Sequence, residues 1–363
     1  MKLLLDQISS FENLLNAYKD CARGKKKIVA YQKTLLNIGE DLCGISQLLS
    51  NNRFQWGSYR EFMVHDPKAR LIMAAPFMDR VVHHAIHRVI EPLFDKLLSD
   101  CVYACREGRG NRFAAQALLR KLRMLGSDRY VLKLDVKQYF KSISHQLLLN
   151  CFYKALPDPS LNLLLESLLK SHSGYAINKV GIPIGNLTSQ LFANFYLKPL
   201  DQIACEQLDV PYYWFDEKQI RQDRFYIRYM DDLVLVANKK DKKIVCETAQ
   251  KIVEEADALQ LSIPMNKRMH IGSDPVPFLG YLLNHDFQRP LSRNQKKHER
   301  QIRHGVNDKK VKPSQLAMKK LAFQAWANLD DRFLKEGSGS SERFSEQRSD
   351  EHEQQHWVSR EDT

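Results

Sequence analysis

The stretch Arg228-Tyr229-Met230-Asp231-Asp232-Leu233-Val234-Leu235-Val236 constrains this chain more than any other. Phe225, Ile227 and Tyr229 lead into two adjacent aspartates, and four apolar residues follow, Leu233 to Val236. Such runs on either side of a polar pair read as a β-hairpin with an acidic tip. Hairpin turns commonly carry Asp, but beside Gly or Asn, and no Gly is present here. Two neighbouring carboxylates repel each other, so a compensating charge is expected. A divalent ion such as Mg²⁺ supplies it, because it binds carboxylate oxygens and keeps positions open for substrate phosphates. Taken alone, the stretch leaves a solvated acidic turn as the alternative.

A third acid stands far upstream. In Val131-Leu132-Lys133-Leu134-Asp135-Val136-Lys137-Gln138-Tyr139-Phe140, Leu132 and Leu134 alternate into a strand that ends on Asp135. An aromatic pair and a helix follow. A carboxylate at the end of a central strand lies where active sites on sheets collect. With Asp231 nearby, it would let two metals be bridged at about 4 Å separation. Between these stretches, Gly181-Ile182-Pro183-Ile184-Gly185-Asn186-Leu187-Thr188-Ser189-Gln190 reads as a loop opening a helix. Gly185 allows close backbone approach, so a nucleotide can sit there without a side chain intruding.

The 363 residues carry a net charge of +12. From Glu336 to Thr363 there are eight acids against three bases, a net of −5 that lifts the remaining chain from +12 to +17. A surplus of that size points to a polyanionic partner, most simply nucleic acid. Seven scattered cysteines, an odd number, argue against a disulfide framework. No apolar run approaches the roughly 20 residues that span a bilayer. Asp6 and Glu12 interrupt the start before a signal-peptide core forms. A cytoplasmic protein of two or three subdomains, with no membrane partner, is the expectation.

The first 50 residues show helical spacing of Leu3, Leu4, Ile8, Phe11, Leu14, Leu15 and Tyr18. Trp56 to Leu71 reads as strand-rich, and Lys68 and Arg70 would project from one face of a strand there. That pair is either a clamp for a triphosphate or two solvent-facing bases. Pro76 suits a helix start, and Val81, Val82, Ile86, Val89 and Ile90 mark its apolar face. His83 and His87 lie one helical turn apart without a flanking Glu, which favours a buried or RNA-facing helix over a zinc site. Tyr103 to Asn111 is a Gly-punctuated loop holding Arg106 and Arg109 before a helix at 113–125. Ile244 to Leu259 reads as an amphipathic helix, and Pro277 to Leu283 as another hairpin. Lys296 to Lys320 is a basic helical stretch suited to tracking a duplex backbone. From Glu336 the composition predicts disorder.

Together these segments are specific. A strand ending in Asp135, an aromatic at Phe140, a Gly-X3-Ser-Gln loop, Tyr229-Met230-Asp231-Asp232, Asn266-Lys267 and Phe278-Leu279-Gly280-Tyr281 follow one another in the order seen in reverse transcriptases. The chain resembles that family over roughly residues 60 to 330. The resemblance implies an α+β right-hand polymerase, with a palm built from an antiparallel sheet and packed helices. Its expected divisions are an N-terminal helical extension at 1–55, fingers at 56–130, and a palm at 131–285 with finger insertions near 150–180. A helical thumb at 286–335 and the acidic tail at 336–363 complete it.

The resemblance also implies roles. Asp135, Asp231 and Asp232 would be catalytic. With the Val136 main chain they would hold two Mg²⁺ ions, for which Mn²⁺ can substitute. Lys68, Arg70, Phe140, Ile184, Gly185, Gln190 and Lys267 would line the nucleotide. Phe140 would be the steric gate against a 2′-hydroxyl, and Lys267 an acid for the pyrophosphate. Arg106, Arg109, Tyr229 and Gly280 would meet template or primer. The partners implied are an RNA template, a DNA or RNA primer and dNTPs. Most of the family carries Pro-Gln-Gly-X3-Ser-Pro in the loop; here Ile184 replaces the Gln and Gln190 the Pro. That form is similar to the reverse transcriptases of diversity-generating retroelements, which copy a template-repeat RNA, misincorporate opposite adenine and work with a small basic accessory protein. Losing an amide beside the nucleotide weakens discrimination. A retron, group II intron or phage-defence reverse transcriptase is the alternative within the family. A non-catalytic RNA-binding protein on a polymerase fold is the alternative outside it.

Overall fold

The computed structural model describes residues 3–23, 37–65, 69–171, 179–211, 223–264, 268–307 and 313–327. Among the described residues α1 (Leu4–Ser9), α2 (Phe11–Ala22) and α3 (Ile38–Ser50) come first. Ser10 caps α2 by accepting a hydrogen bond from the Asn13 amide at 3.3 Å. Leu5, Ile8, Leu14, Ala17, Tyr18 and Cys21 turn inward from α1 and α2. The strand-rich segment is an antiparallel pair, β1 (Arg60–His65) and β2 (Ala69–Ala74), with Arg60 opposite Ala74. Pro76 then fills the position before α4 (Phe77–Asp95), where its missing N–H costs nothing. Helix α5 (Asn111–Leu125) leads into β3 (Tyr130–Asp135).

After β3 come a one-turn helix α6 (Tyr139–Ser142), then α7 (His145–Ala155) and α8 (Pro159–Lys170). Helices α9 (Leu187–Tyr196) and α10 (Lys198–Leu208) precede the acidic hairpin of β4 (Phe225–Tyr229) and β5 (Asp232–Ala237). Helix α11 (Lys242–Ala258) and strand β6 (Arg268–Ile271) follow. A small antiparallel sheet comes next, β7 (Val276–Phe278), β8 (Tyr281–Leu283) and β9 (Gln288–Pro290). The basic helical stretch carries α12 (Ser292–Asn307) and α13 (Pro313–Ala327). Pro313 opens the second, in keeping with the preference of Pro for a first turn. His298 of α12 stacks on Phe323 of α13 with ring centroids 3.8 Å apart.

The central sheet has the order β4-β5-β3-β6, antiparallel throughout. Both of its faces are covered, which explains why β4 and β5 read as continuous apolar runs. On one face Tyr130, Leu132, Leu134, Tyr226, Leu233 and Leu235 join the main core with the helices. There Phe94 of α4 stacks on Phe195 of α9 at 3.9 Å between centroids. On the other face Val131, Phe225, Ile227, Val234 and Val236 pack with Ala114, Leu118 and Leu122 of α5 and with Val276, Phe278 and Tyr281. His83 of α4 is buried, its Nδ1 2.7 Å from Thr188 Oγ1, and burial pushes its pKa down to about 3. Among the described residues, no helix is long and apolar enough to cross a membrane.

One buried carboxylate ties the N-terminal helices to this body. Asp158 accepts from the Leu161 amide at the start of α8 at 3.1 Å and from the Leu5 amide at the start of α1 at 2.9 Å. Replacing it strands two buried donors. Asp158→Ala is expected to lower folding stability by about 2–3 kcal/mol, read as a lower urea midpoint at unchanged slope.

Candidate active site

The β4–β5 connection contains Met230 and Asp231 alone, because Tyr229 pairs directly with Asp232. The turn has no glycine, and Met230 adopts the left-handed φ of 52°. That conformation costs an L-residue roughly 1–2 kcal/mol, so the surroundings must impose it. Two main-chain carbonyls of the turn are held: Met230 O accepts from Arg228 Nη1 at 3.0 Å, and Asp231 O accepts from the Val136 amide at 3.3 Å. The second bond stitches the end of β3 to the turn. Register completes the arrangement, since Asp135 lies directly opposite Asp232. Directly opposed side chains share a face, and the same face carries Lys133 and Tyr229.

Like charge at close quarters marks the cluster. The Asp231 carboxyl is pushed up to about 6. Burial is the chief cause; its own backbone N–H opposes the rise, the Asp135 and Asp232 charges add to it, and Arg70 also opposes it. Asp232 has a different environment: its Oδ2 sits 3.1 Å from Lys133 Nζ, which also donates to Pro277 O at 2.8 Å. Lys133 further lies 5.4 Å from the Phe278 ring centroid. Among the described residues, no three acidic, His or Cys side chains converge closely enough to hold a metal. The three aspartates are therefore not equivalent. Asp135 is exposed and Asp231 half-buried, and their mutual repulsion suits a divalent cation held by hard oxygen ligands. Asp232 pairs with the Lys133 ammonium. Val136 is buried, and only its main chain reaches the site.

The other expected residues fall into three groups. The first group lies within the described residues. Arg70 is exposed on β2 and close enough to Asp231 to oppose its rise. Phe140 is half-buried on α6, edge-on to Tyr139, and its carbonyl accepts from the Ile182 amide at 2.8 Å. Ile184 O accepts from the Met73 amide at 3.1 Å, which docks the loop on β2. Gly185 is required there: its φ is +121°, and a Cβ would meet Ile72 Cγ2 at 3.1 Å. Gln190 is half-buried with its Oε1 3.8 Å from Cys105 Sγ. Tyr229 packs on the second cluster. Gly280 shares the β7–β8 turn with Leu279, both at positive φ, and its carbonyl accepts from the Leu291 amide at 2.8 Å.

Arg106 and Arg109 form the second group, and for the buried Arg106 the structure corrects the expectation of a template contact. Arg106 is 5% exposed, and its guanidinium is spent on the Asp95 carboxylate and on the carbonyls of Ser99 and Val102. Arg109 pairs with Asp100 and lies 5.8 Å from the Tyr103 ring centroid. In a Gly-punctuated loop, arginines either bind phosphate or replace the missing regular hydrogen bonds. Here they do the second, because nearby carbonyls and two aspartates were available. Lys68 and Lys267, the third group, lie outside the described residues. Sequence reasoning missed Lys133, although its place two residues before Asp135 set it on the same strand face.

A sheet end that gathers acids from two distant strands, on an antiparallel sheet with packed helices, is the arrangement of a polymerase palm. The chain belongs to the reverse transcriptase (RNA-dependent DNA polymerase) family, whose model matches residues 65–283. Membership implies a right-hand polymerase fold, which the mixed helices and antiparallel sheet agree with. Members generally use divalent metal ions. Protein YkfC of Escherichia coli (strain K12) is 25% identical over 242 residues, covering 60% of this chain and 63% of that protein. The group II intron-encoded protein LtrA of Lactococcus lactis subsp. cremoris is 26% identical over 145 residues, 38% of this chain and 23% of LtrA. The putative COX1/OXI3 intron 1 protein of Saccharomyces cerevisiae is 24% identical over 166 residues, 43% of this chain and 19% of that protein. The chain thus spans less than two thirds of these relatives.

The raised Asp231 carboxyl has a pH signature. Its folded value of about 6 lies above the ordinary 3.8. Its contribution therefore stabilises the metal-free fold below about pH 4 and is lost as pH rises through about 6. A divalent cation must displace that proton. The rise in melting temperature caused by millimolar MnCl₂ is expected to be several-fold larger near pH 7 than near pH 5. Asp231→Asn should remove most of that difference. Equal metal-induced shifts at both pH values in the unaltered protein would contradict the assignment.

Proposed function

We propose that this chain is an RNA-directed DNA polymerase that makes cDNA from an RNA template. The observation that carries the reading is the meeting of Asp135 and Asp231 at one end of the central sheet, inside the region matched by the family model. In the reaction, the primer 3′-hydroxyl oxygen bonds to the α-phosphorus of a dNTP, and the bond to the pyrophosphate oxygen breaks. Two Mg²⁺ ions bound there, or Mn²⁺ in their place, would favour the ionised hydroxyl and neutralise the triphosphate and the leaving oxygen. Asp135 and Asp231 would hold them, with the Val136 main chain. Asp232 would assist, held in place beside them by Lys133. Arg70 would pair with the triphosphate, Phe140 would pack under the sugar, and Ile184, Gly185 and Gln190 would form the rest of the nucleotide site. Lys68 and Lys267 belong to the same proposal. Tyr229 and the Gly280 turn would meet the primer. The basic helices α12 and α13 would hold the RNA–DNA duplex by its backbone.

The divisions follow from this reading: fingers at 56–130, palm at 131–285, thumb at 286–335, an N-terminal extension at 1–55 and an acidic tail at 336–363. The finer proposal is a diversity-generating retroelement enzyme, error-prone at adenines and working with a small basic accessory protein. Ile184 and Gln190 support it. Ile184 sets hydrocarbon where most of the family has an amide, in a loop anchored to β2. The likeness to intron-encoded proteins favours a second reading, a group II intron-type enzyme.

Primer extension on a defined RNA tests both levels. Asp135→Ala and Asp231→Ala should each lower dNTP incorporation roughly 10³-fold or more, since each removes a metal ligand. Retained incorporation would defeat the site assignment. Sequenced cDNA should show errors concentrated at template adenines when the accessory protein is supplied. Errors spread evenly over the four bases would favour the intron-type reading.

A further inference from the structure

Strand β4 carries one residue that its surroundings do not explain. Phe225 and Ile227 face the second cluster, while Tyr226 faces the main core. By alternation Arg228 also faces the main core, and its side chain is 0% exposed, as is that of Asp201 on α10. A guanidinium has five N–H donors, and here every one has a partner. Nε donates to Asp201 Oδ1 at 2.6 Å and Nη2 to Asp201 Oδ2 at 2.7 Å. Nη2 also donates to Asn194 O at 3.1 Å. Nη1 donates to Asn194 Oδ1 at 2.9 Å and to Met230 O at 3.0 Å. Nothing is left to bind a ligand, so the role of Arg228 lies in what it holds.

Three features of its setting point to the catalytic turn. Asp201 is itself held by the Tyr226 hydroxyl at 2.8 Å, and Asn194 by the Ala104 carbonyl at 2.7 Å. The Arg228 main chain is pinned as well: its amide donates to Cys101 O at 2.9 Å and its carbonyl accepts from the Tyr103 amide at 3.0 Å. Arg228 is thus a rigid post with a bidentate anchor below and one hydrogen bond reaching up to Met230. That bond fixes the carbonyl of the peptide that joins Met230 to Asp231. The carbonyl of Asp231 itself accepts from the Val136 amide. A buried ion pair is weak evidence for stability, because an apolar pair of similar volume fills a core as well. An apolar pair cannot hold the Met230 carbonyl.

We propose that Arg228, anchored by Asp201, is a positioning residue that sets the Met230–Asp231 peptide and thereby the Asp231 carboxylate in the catalytic turn. This rests on the polymerase reading and assigns a determinant within it. Misplacing a reacting group by an ångström costs on the order of 10²-fold in rate, so the clamp acts on turnover rather than on nucleotide binding.

Two variants of the full chain test it. Arg228→Met with Asp201→Leu removes both charges and refills the core with hydrocarbon. Arg228→Lys keeps the charge facing Asp201, but one nitrogen cannot span Asp201 and Met230. For the double variant we expect a melting temperature within a few degrees of the unaltered protein. Primer-extension turnover should fall about 10²-fold with KM for dNTP nearly unchanged. The MnCl₂-induced rise in melting temperature should shrink towards that of Asp231→Asn. Arg228→Lys should show the same split when assayed below its own melting temperature. A folded double variant, or a folded Arg228→Lys, with near-normal turnover and metal response overturns the proposal. If neither variant folds, the pair is structural and the proposal falls. Should the unaltered protein extend no primer, the polymerase reading fails, and the metal response alone decides the clamp: an undiminished shift in the double variant overturns it.

Discussion

The pairing register between β3 and β5 is the constraint on which the rest of the site depends. Asp135 stands opposite Asp232 because Leu132 and Leu134 face the main core while Val131 faces the second cluster. A slip of one residue would drive Lys133 and Asp135 into the main core and turn Leu132 and Leu134 to the face of the second cluster. Burial of both faces therefore fixes more than the fold. Hydrophobic packing on two sides locates a hydrophilic site to within one residue. The four-stranded order, with β3 between β5 and β6, brings an acid from residue 135 to a turn at residue 231 without a local connection.

Within that frame each aspartate meets a different compensating charge. Asp232 has a lysine from the neighbouring strand, and through Pro277 that lysine also links the central sheet to strand β7. Asp231 has burial and two acidic neighbours against it, with Arg70 as a distant counterweight. This is the acid whose charge is most in need of a cation. Beneath the turn, Arg228 and Asp201 neutralise each other in the dry interior and leave one donor for the Met230 carbonyl. Repulsion at the surface and a satisfied ion pair below it are stacked along one hairpin.

Much of this was legible in the sequence because it follows from period and punctuation. The acidic hairpin, the strand ending on Asp135, the helix after Pro76 and the β7–β8 hairpin come from alternation and turn chemistry, which are local. Cationic side chains were harder to read. Arg106 and Arg109 stand in a glycine-bearing loop that suggests phosphate, yet Asp95 and Asp100 claim them. Arg228 interrupts an apolar strand, and it is buried. An arginine carries the same five donors in every setting, and only its neighbours in space decide between ligand, carboxylate and carbonyl. The basic stretch after residue 296 likewise showed helical composition without showing that it divides at Pro313.

The sequence by itself determined the class of protein. The order of Asp135, Phe140, the Gly185 loop and Asp231-Asp232 follows from chemistry that needs those side chains on strand ends and turns. It determined too that the carboxylates would need compensating charge. Only the tertiary structure decided which compensation each received: Lys133 for Asp232, the repulsive pair of Asp135 and Asp231, and the Arg228 post under the turn. The reason is range. Strand period and turn preference act over a few residues, whereas charges are paired across distances in sequence of 27 residues for Arg228 and Asp201 and of 99 for Lys133 and Asp232.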